Sequence, residues 1–309
     1  MITAFAPSKL ILFGEHAVVY GEPAIATAIA LGTRARVRES DEIFIEAYSR
    51  GKKIDDLKPI EALIEEARRK YSIEGLRVEI SSEVPMGAGM GSSASSAVAT
   101  AAAIVYMVKK ELDYKEIISL ADVAERVAHG KPSGIDTRII TYGGTMLYRR
   151  GEEPIFSRGL SGEIYIFNTG ISRSTRDLVL SVKSLVERSE IARRIISLIG
   201  SLSLSVWEKI ERGISLEALK EEALINHGLL KALGVSHPVL DLLVYEAKKE
   251  SKGAKLTGAG GGGSAIGFGR IASRERILEE ESFNKLIERY KGSPELFSSS
   301  VGAEGVRIL

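Results

Sequence analysis

The sequence has no cysteine in 309 residues. This absence excludes disulfide bonds, thiolate metal ligands and thiol nucleophiles, and it is compatible with a reducing cytoplasm, where we expect the protein. A membrane-spanning run of about 18 apolar residues is also missing, because Lys9, Glu15 and Glu22 interrupt the most apolar candidate. No basic segment precedes an apolar core near the N-terminus, so we expect no signal peptide.

An excess of one charge is missing too. The chain has 42 Lys and Arg against 41 Asp and Glu, which gives a formal net charge of +1, and it has no dense basic block. A nucleic-acid-binding surface is therefore disfavoured, and we expect neither nucleic-acid nor membrane partners. Apolar residues make up 44% of the chain, enough for one large domain or two ordinary ones.

Hydrophobic periodicity predicts a mixture of strands and helices. Alternating residues such as DEIFIEAYS at 41–49 predict strands, while apolar residues at helical spacing predict helices at about 56–71, 92–111 and 114–128. Several more helices are predicted between 175 and 250. The elements do not alternate strictly, which favours an α+β fold over a doubly wound sheet. A loop at 151–162 suggests two domains, residues 1–158 and 159–309.

The segment VPMGAGMGSSASSAV at 84–98 places a glycine-rich loop before a helix. Glycines let backbone N–H groups turn toward an anion, and the helix adds unpaired N–H groups and its positive dipole end. Ser92 and Ser93 could cap the helix, contact phosphate or reach a metal ion. The loop has neither the Walker lysine nor the dinucleotide glycine spacing, so a simple tight turn remains the alternative.

A second glycine-rich loop, GAGGGG at 258–263, lies between the segments AKLT and SAIGF. Ordering so many glycines costs considerable conformational entropy. A flexible linker is the alternative. Because the flanking segments resemble paired core strands, we favour a loop that approaches a ligand.

Five polar residues stand out near strand and helix ends: Lys9, Glu15, His16, Glu125 and Asp136. Each also has a simpler interpretation. A lysine at a strand edge is usually solvated, and a lone histidine is usually structural. A glutamate on a helix surface is usually solvated, and an aspartate after a turn is usually a helix cap.

Four segments resemble, in order, the GHMP kinases, a family named for galactokinase, homoserine kinase, mevalonate kinase and phosphomevalonate kinase. The segments are PSKLILFGEHAVVYG at 7–21, VPMGAGMGSSASSAV at 84–98, HGKPSGIDTRIITYGG at 129–144 and KLTGAGGGGSAIGF at 255–268. The resemblance covers nearly the whole chain. It implies an N-terminal ribosomal-protein-S5-like α/β domain, a C-terminal ferredoxin-like α+β domain and an active site in the cleft between them.

Within the family, GEHAVVYG, NTGISRSTRDLV and INHGLLKALGVSHPVLD are most similar to the members that act on mevalonate, in a short, archaeal-type form. This resemblance implies ATP-dependent phosphorylation of (R)-mevalonate to 5-phosphomevalonate in isoprenoid biosynthesis. Mg²⁺ would be the cofactor, and ATP and mevalonate would be the small-molecule partners. A homodimer is among the assemblies that the resemblance allows.

The resemblance also implies roles for individual residues. Asp136 would accept the hydroxyl proton, Lys9 would pair with it, and Ser93 and Glu125 would bind the metal. ATP would be bound by Pro85, Gly87, Ala88, Gly89, Met90, Gly91, Ser92, Ser93 and Ala94. Mevalonate would be bound by Lys9, Glu15, His16, Asp136, Tyr148, Arg173, Gly258, Ala259 and Gly260.

Two alternative functions stay open. One is another GHMP kinase acting on phosphomevalonate, a sugar, homoserine or the 3-hydroxyl of mevalonate, although GEHAVVYG and ISRST argue against most of these. The other is a non-catalytic ligand sensor on the same fold. A sensor predicts loss of Lys9, Glu125 or Asp136, and all three residues are present.

Overall fold

The computed structural model describes residues 1–85, 87–130, 134–171, 174–250, 252–269, 279 and 281–309. Contacts between Cα atoms divide the chain into two compact units. The first contains Met1–Lys9, Ala28–Gly144 and Ala303–Leu309, and the second contains Leu10–Thr27 and Thr145–Gly302. The units interleave along the chain, so they do not test a linear division at residues 158 and 159, which stays a prediction.

Strands and helices are mixed without strict alternation, as the α+β prediction requires. The strands of the described ranges are β1 Ile2–Phe13, β2 Ala24–Ser40, β3 Phe44–Ser49, β4 Lys52–Lys53, β5 Gly75–Ser82, β6 Thr145–Tyr148, β7 Ile155–Ser157, β8 Leu160–Ser161, β9 Glu163–Asn168, β10 Ile214–Ser215, β11 Gly253–Thr257, β12 Ser264–Phe268, β13 Glu295–Ser300 and β14 Arg307–Ile308. The helices there are α1 Lys58–Tyr71, α2 Ser92–Lys109, α3 Tyr114–His129, α4 Ile135–Tyr142, α5 Thr175–Arg188, α6 Glu190–Glu211, α7 Lys220–Ala232, α8 Pro238–Lys249 and α9 Glu281–Arg289. Short 3₁₀ turns lie at Ala17–Tyr20 and Leu216–Leu219.

The first unit contains a sheet with the strand order β14-β1-β2-β5-β3-β4. Strand β2 is antiparallel to β5, with Ala35 opposite Ile80, whereas β3 is parallel to β5. Along β2, Ala35 and Val37 are buried while Arg36 and Arg38 are exposed. This period of two gives the sheet one face for a helical layer.

Helix α2 lies in the middle of that layer and contacts α1, α3 and α4. It is buried continuously from Ala94 to Val105, because its small Ala and Ser side chains allow neighbouring elements to approach closely. The Ser95 hydroxyl donates a hydrogen bond to the Ala6 carbonyl at 2.9 Å and so ties α2 to β1. Despite this apolar character, neither α2 nor any other helix in the described ranges is long and apolar enough to cross a membrane.

The second unit contains an antiparallel sheet with the strand order β11-β12-β9-β13. Its hydrophobic core combines residues of β9, β11 and β12 with residues of α5, α6, α7, α8 and α9. Phe167 of β9 meets Phe283 of α9 edge to face, with 5.6 Å between ring centroids. Ala17 belongs to the same core, so the turn that follows β1 packs with this unit.

Candidate active site

The first glycine-rich loop has a regular backbone pattern. Gly87, Gly89 and Gly91 have φ angles of 74°, 80° and 72°, in the left-handed region that favours glycine. Ala88 and Met90, between them, are buried. The Met90 carbonyl accepts the backbone N–H of Lys9 at 3.0 Å, so the loop is attached to β1.

The two serines after the loop have different environments. Ser92 is buried, with its Oγ 3.4 Å from Oγ of Ser82, whereas the Ser93 hydroxyl donates to Glu125 Oε1 at 3.1 Å. The proposed serine cap is wrong: Gly91 is the N-cap of α2, and no side-chain hydrogen bond caps the helix there. Both serines lie inside the first turn, which directs Ser93 toward α3.

Glu125 lies on α3 and is only 3% exposed, so the solvated interpretation of this residue is wrong. Burial raises the pKa of its carboxyl group, and the negative charge of Asp136 raises that pKa further. His129, Ser93 and Lys9 oppose the shift. A buried carboxylate with a raised pKa beside a hydroxyl is an environment typical of a functional site.

Lys9 and Asp136 form an ion pair, with 3.1 Å between Nζ and Oδ1. Lys9 is buried, so the solvated interpretation is wrong for it too, while the Asp136 side chain is 30% exposed and accessible to a ligand. Asp136 is not a cap, because Gly134 is the N-cap of α4 and Asp136 lies in the first helical turn. The Thr137 hydroxyl donates to Asp122 of α3 at 2.7 Å, which fixes α4 to the helix that carries Glu125.

In the second unit, Glu15 and His16 form a tight turn at the end of β1. The Ala17 N–H donates to the Glu15 carbonyl at 2.7 Å, and His16 has φ 61° and ψ −41°. This is a γ-turn of the rare, strained kind. The His16 ring donates from Nε2 to the Ala259 carbonyl at 2.9 Å, so the second glycine-rich loop lies against the turn.

The glycines of that loop are required by packing within the same unit. A Cβ at Gly260 would lie 1.9 Å from the Val235 carbonyl oxygen, and one at Gly261 would lie 2.7 Å from Leu178. The Gly261 N–H also donates to the Val235 carbonyl at 2.8 Å. These contacts explain the run of glycines without a ligand, and approach to a ligand stays a prediction.

Sequence analysis missed Lys255 on β11. Its side chain is fully buried, pairs with Glu15, and donates to the Leu256 carbonyl at 2.7 Å. Burial lowers the pKa of this lysine, and the Glu15 charge opposes that shift. The signal available in the sequence was a lysine inside GAKLT, a segment predicted to be a core strand.

Three further residues were predicted on the substrate side: Tyr148, Arg173 and Gly258. Tyr148 is buried at the end of β6, where it pairs with Ala24 of β2. Gly258 is half-buried with a φ of 76°. Arg173 lies outside the described residues.

A magnesium site is compatible with Ser93 and Glu125. Within the described ranges no group of three or more His, Cys, Asp or Glu residues could hold a metal ion. Mg²⁺ nevertheless binds proteins through one or two oxygen side chains and takes its other ligands from phosphates and water. The hydroxyl of Ser93 and the buried carboxylate of Glu125, in direct contact beside the glycine loop, fit that requirement.

Comparison with known proteins identifies the family. Residues 58–144 match the N-terminal domain of the GHMP kinases, and residues 208–284 match their C-terminal domain. The mevalonate kinase of Archaeoglobus fulgidus is 40% identical over 293 residues, which cover 92% of this chain and 99% of that protein. The chain belongs to the GHMP kinase family.

Other relatives of this GHMP kinase agree. The mevalonate kinase of Pyrococcus horikoshii is 40% identical over 307 residues, covering 89% of this chain and 90% of its own. The crystal structure of the Methanococcus jannaschii mevalonate kinase is 29% identical with a TM-score of 0.78, and the match covers 100% of this chain and 98% of that one. The predicted GHMP kinase fold is therefore confirmed.

Proposed function

We propose that this GHMP kinase is a mevalonate kinase, which transfers the γ-phosphoryl group of ATP to the primary hydroxyl of (R)-mevalonate. The products are 5-phosphomevalonate and ADP. The observation that carries the proposal is the 40% identity to a mevalonate kinase along nearly its full length. The Lys9–Asp136 pair, which lies near Ser93 and Glu125, would supply the chemistry that such a transfer needs.

ATP would bind through its phosphates to Pro85 and residues 87–94. Backbone N–H groups at the positive-φ glycines and at the start of α2 would donate to phosphate oxygens. The buried Ala88 and Met90 hold the loop in place, so these donors are oriented before the nucleotide arrives. Such pre-orientation is the main contribution a protein makes to phosphoryl transfer.

Ser93 and Glu125 would hold the Mg²⁺ that accompanies ATP. The bound ion would neutralise charge on the phosphates. The pKa of Glu125 is raised because its carboxyl group is buried near Asp136. A bound cation would stabilise the charged form of this carboxylate.

Asp136 would accept the proton of the attacking hydroxyl. The hydroxyl oxygen then bonds to the γ-phosphorus, the bond from that phosphorus to the bridging oxygen breaks, and ADP leaves. Lys9, 3.1 Å from Asp136, would stabilise negative charge on the carboxylate and on the developing alkoxide. General-base assistance of this kind contributes about 10²–10⁴-fold to rate.

The substrate-side roles of the second unit are also proposals. His16, with Glu15 beside it, would orient a hydroxyl or carboxylate oxygen of mevalonate. Tyr148, Arg173 and residues 258–260 would complete that side. The strained γ-turn at His16 supports this assignment, because strain of this kind is concentrated at binding and catalytic positions.

The test is ADP release by the purified protein with mevalonate, phosphomevalonate, galactose and homoserine as acceptors. We expect kcat/KM for mevalonate to exceed the others by about 100-fold or more. Phosphorus NMR of the product separates the 5-hydroxyl from the 3-hydroxyl. A higher kcat/KM for another acceptor, or a 3-phosphate product, would overturn the proposal.

A further inference from the structure

Lys255 is a buried cation that the chemistry of phosphoryl transfer does not use. It lies on β11, an edge strand of the second unit's sheet, and its side chain is completely buried. Its ammonium group is surrounded by Glu15, the Leu256 carbonyl at 2.7 Å and the face of the Phe13 ring, with 5.8 Å to the ring centroid. A buried charge is costly, so this lysine needs Glu15 as its partner.

Lys255 is part of a regular set of contacts. Residues at every second position of a strand share one face, and the contacts of Lys255 and Thr257 follow that spacing. Lys255 binds Glu15, and the Thr257 hydroxyl donates to the Ile11 carbonyl at 2.8 Å. Two residues further on, the Ala259 carbonyl accepts the His16 ring at 2.9 Å.

The turn at Glu15 and His16 needs such support. His16 has a positive φ in a γ-turn, which is strained for a residue with a side chain. Gly14 before it has φ 93°, and a Cβ there would lie 2.4 Å from Ala24 Cα, so the chain has no room to relax on that side. A strained turn persists only where surrounding contacts hold it.

We propose that Lys255 is a positioning residue, which acts through Glu15 to hold the His16 turn in the conformation that binds mevalonate. This inference rests on the proposed function. Lys255 itself does not contact the substrate, and its ion pair fixes the carboxylate of Glu15. The hydrogen bond from His16 to Ala259 then fixes the imidazole ring relative to the loop that follows the strand of Lys255.

The experiment compares Lys255→Met with Lys252→Met. Lys252 lies three residues earlier and pairs with Glu217 at the surface, so its variant controls for loss of a lysine from the same segment. We expect Lys255→Met to raise the KM for mevalonate by about 10- to 100-fold, because small misplacements of a binding group have effects of that size. The KM for ATP should not change, and Lys252→Met should leave both values unchanged. An unchanged KM for mevalonate in folded Lys255→Met would overturn the proposal.

A double-mutant cycle with Glu15→Gln separates positioning from stability. If Lys255 acts through Glu15, adding Lys255→Met to Glu15→Gln causes no further rise in the KM for mevalonate. Independent, multiplying effects would contradict the proposal. The double variant removes both buried charges, so it keeps the test available where Lys255→Met alone fails to fold.

The two proposals fail in different ways. A wild-type enzyme that is inactive on mevalonate would overturn the proposed function. An active wild type whose KM for mevalonate is unaffected by Lys255→Met would overturn only the role of Lys255.

Discussion

Gly91 joins the first glycine-rich loop to α2 and lies against the side chain of Lys9. Its φ of 72° and ψ of 30° are left-handed, and a Cβ at this position would lie 2.9 Å from Lys9 Cγ and 3.0 Å from Lys9 Cε. The substitution Gly91→Ala therefore has two effects, backbone strain and displacement of Lys9. The second effect bears directly on the ion pair with Asp136.

The two effects have separate magnitudes. A residue with a Cβ in the left-handed region costs about 1–2 kcal/mol, which lowers the melting temperature by a few degrees. Carbon atoms in ordinary contact are about 3.5–4.0 Å apart, so Lys9 must move by roughly 0.5–1 Å. A shift of that size stretches the 3.1 Å pair with Asp136 and lowers kcat by about 10- to 100-fold.

Gly51→Ala is the matched control. Gly51 lies in the turn between β3 and β4 with φ 77°, and beyond its two chain neighbours no residue has an atom within 4 Å of a Cβ placed there. This variant should lose similar stability and keep the wild-type kcat. Calorimetry and steady-state ADP release at saturating substrates measure both quantities. The reasoning is refuted if Gly91→Ala, still folded, keeps the same kcat as Gly51→Ala.

Three further substitutions test the site. Asp136→Asn should keep the fold and nucleotide binding but lower kcat by about 10²–10⁴-fold, and near-normal kcat in steady-state assays would exclude Asp136 as the base. Glu125→Gln should raise the Mg²⁺ concentration needed for half-maximal activity, and an unchanged midpoint would argue against a metal role. Because burial raises the pKa of Glu125 above its ordinary 4.5, its contribution to stability is fully present below pH 4.5 and is lost as pH rises through the raised pKa. Melting curves in EDTA should therefore show Glu125→Gln gaining stability relative to wild type as pH rises, and a pH-independent difference would contradict this. His16→Ala should raise the KM for mevalonate by about 10- to 100-fold, because losing its hydrogen bond costs about 1–3 kcal/mol of binding free energy. The KM for ATP should not change. A lower melting temperature with both KM values normal would mean that the histidine is purely structural.

Much of the fold was predictable because local patterns determine it. The predicted helix at 92–111 is observed at Ser92–Lys109, and the strands around the second glycine loop are observed at Gly253–Thr257 and Ser264–Phe268. Helix α4 was missed because its sequence, IDTRIITY, is rich in β-branched residues with modest helix propensity. It is helical because it packs on α2 and α3, which is a tertiary effect.

The sequence by itself determined which chemical groups the protein has and where its two glycine-rich loops and helices such as α2 begin. Tertiary structure decided which of these groups meet. Lys9 and Asp136 are far apart in the chain yet form an ion pair, and Ser93 rather than Ser92 reaches Glu125. The contact of Lys255 with Glu15 likewise joins residues that are 240 positions apart in the chain. Contacts between distant segments, and the burial of charged side chains away from water, depend on how the whole chain packs. No local pattern of residues encodes them.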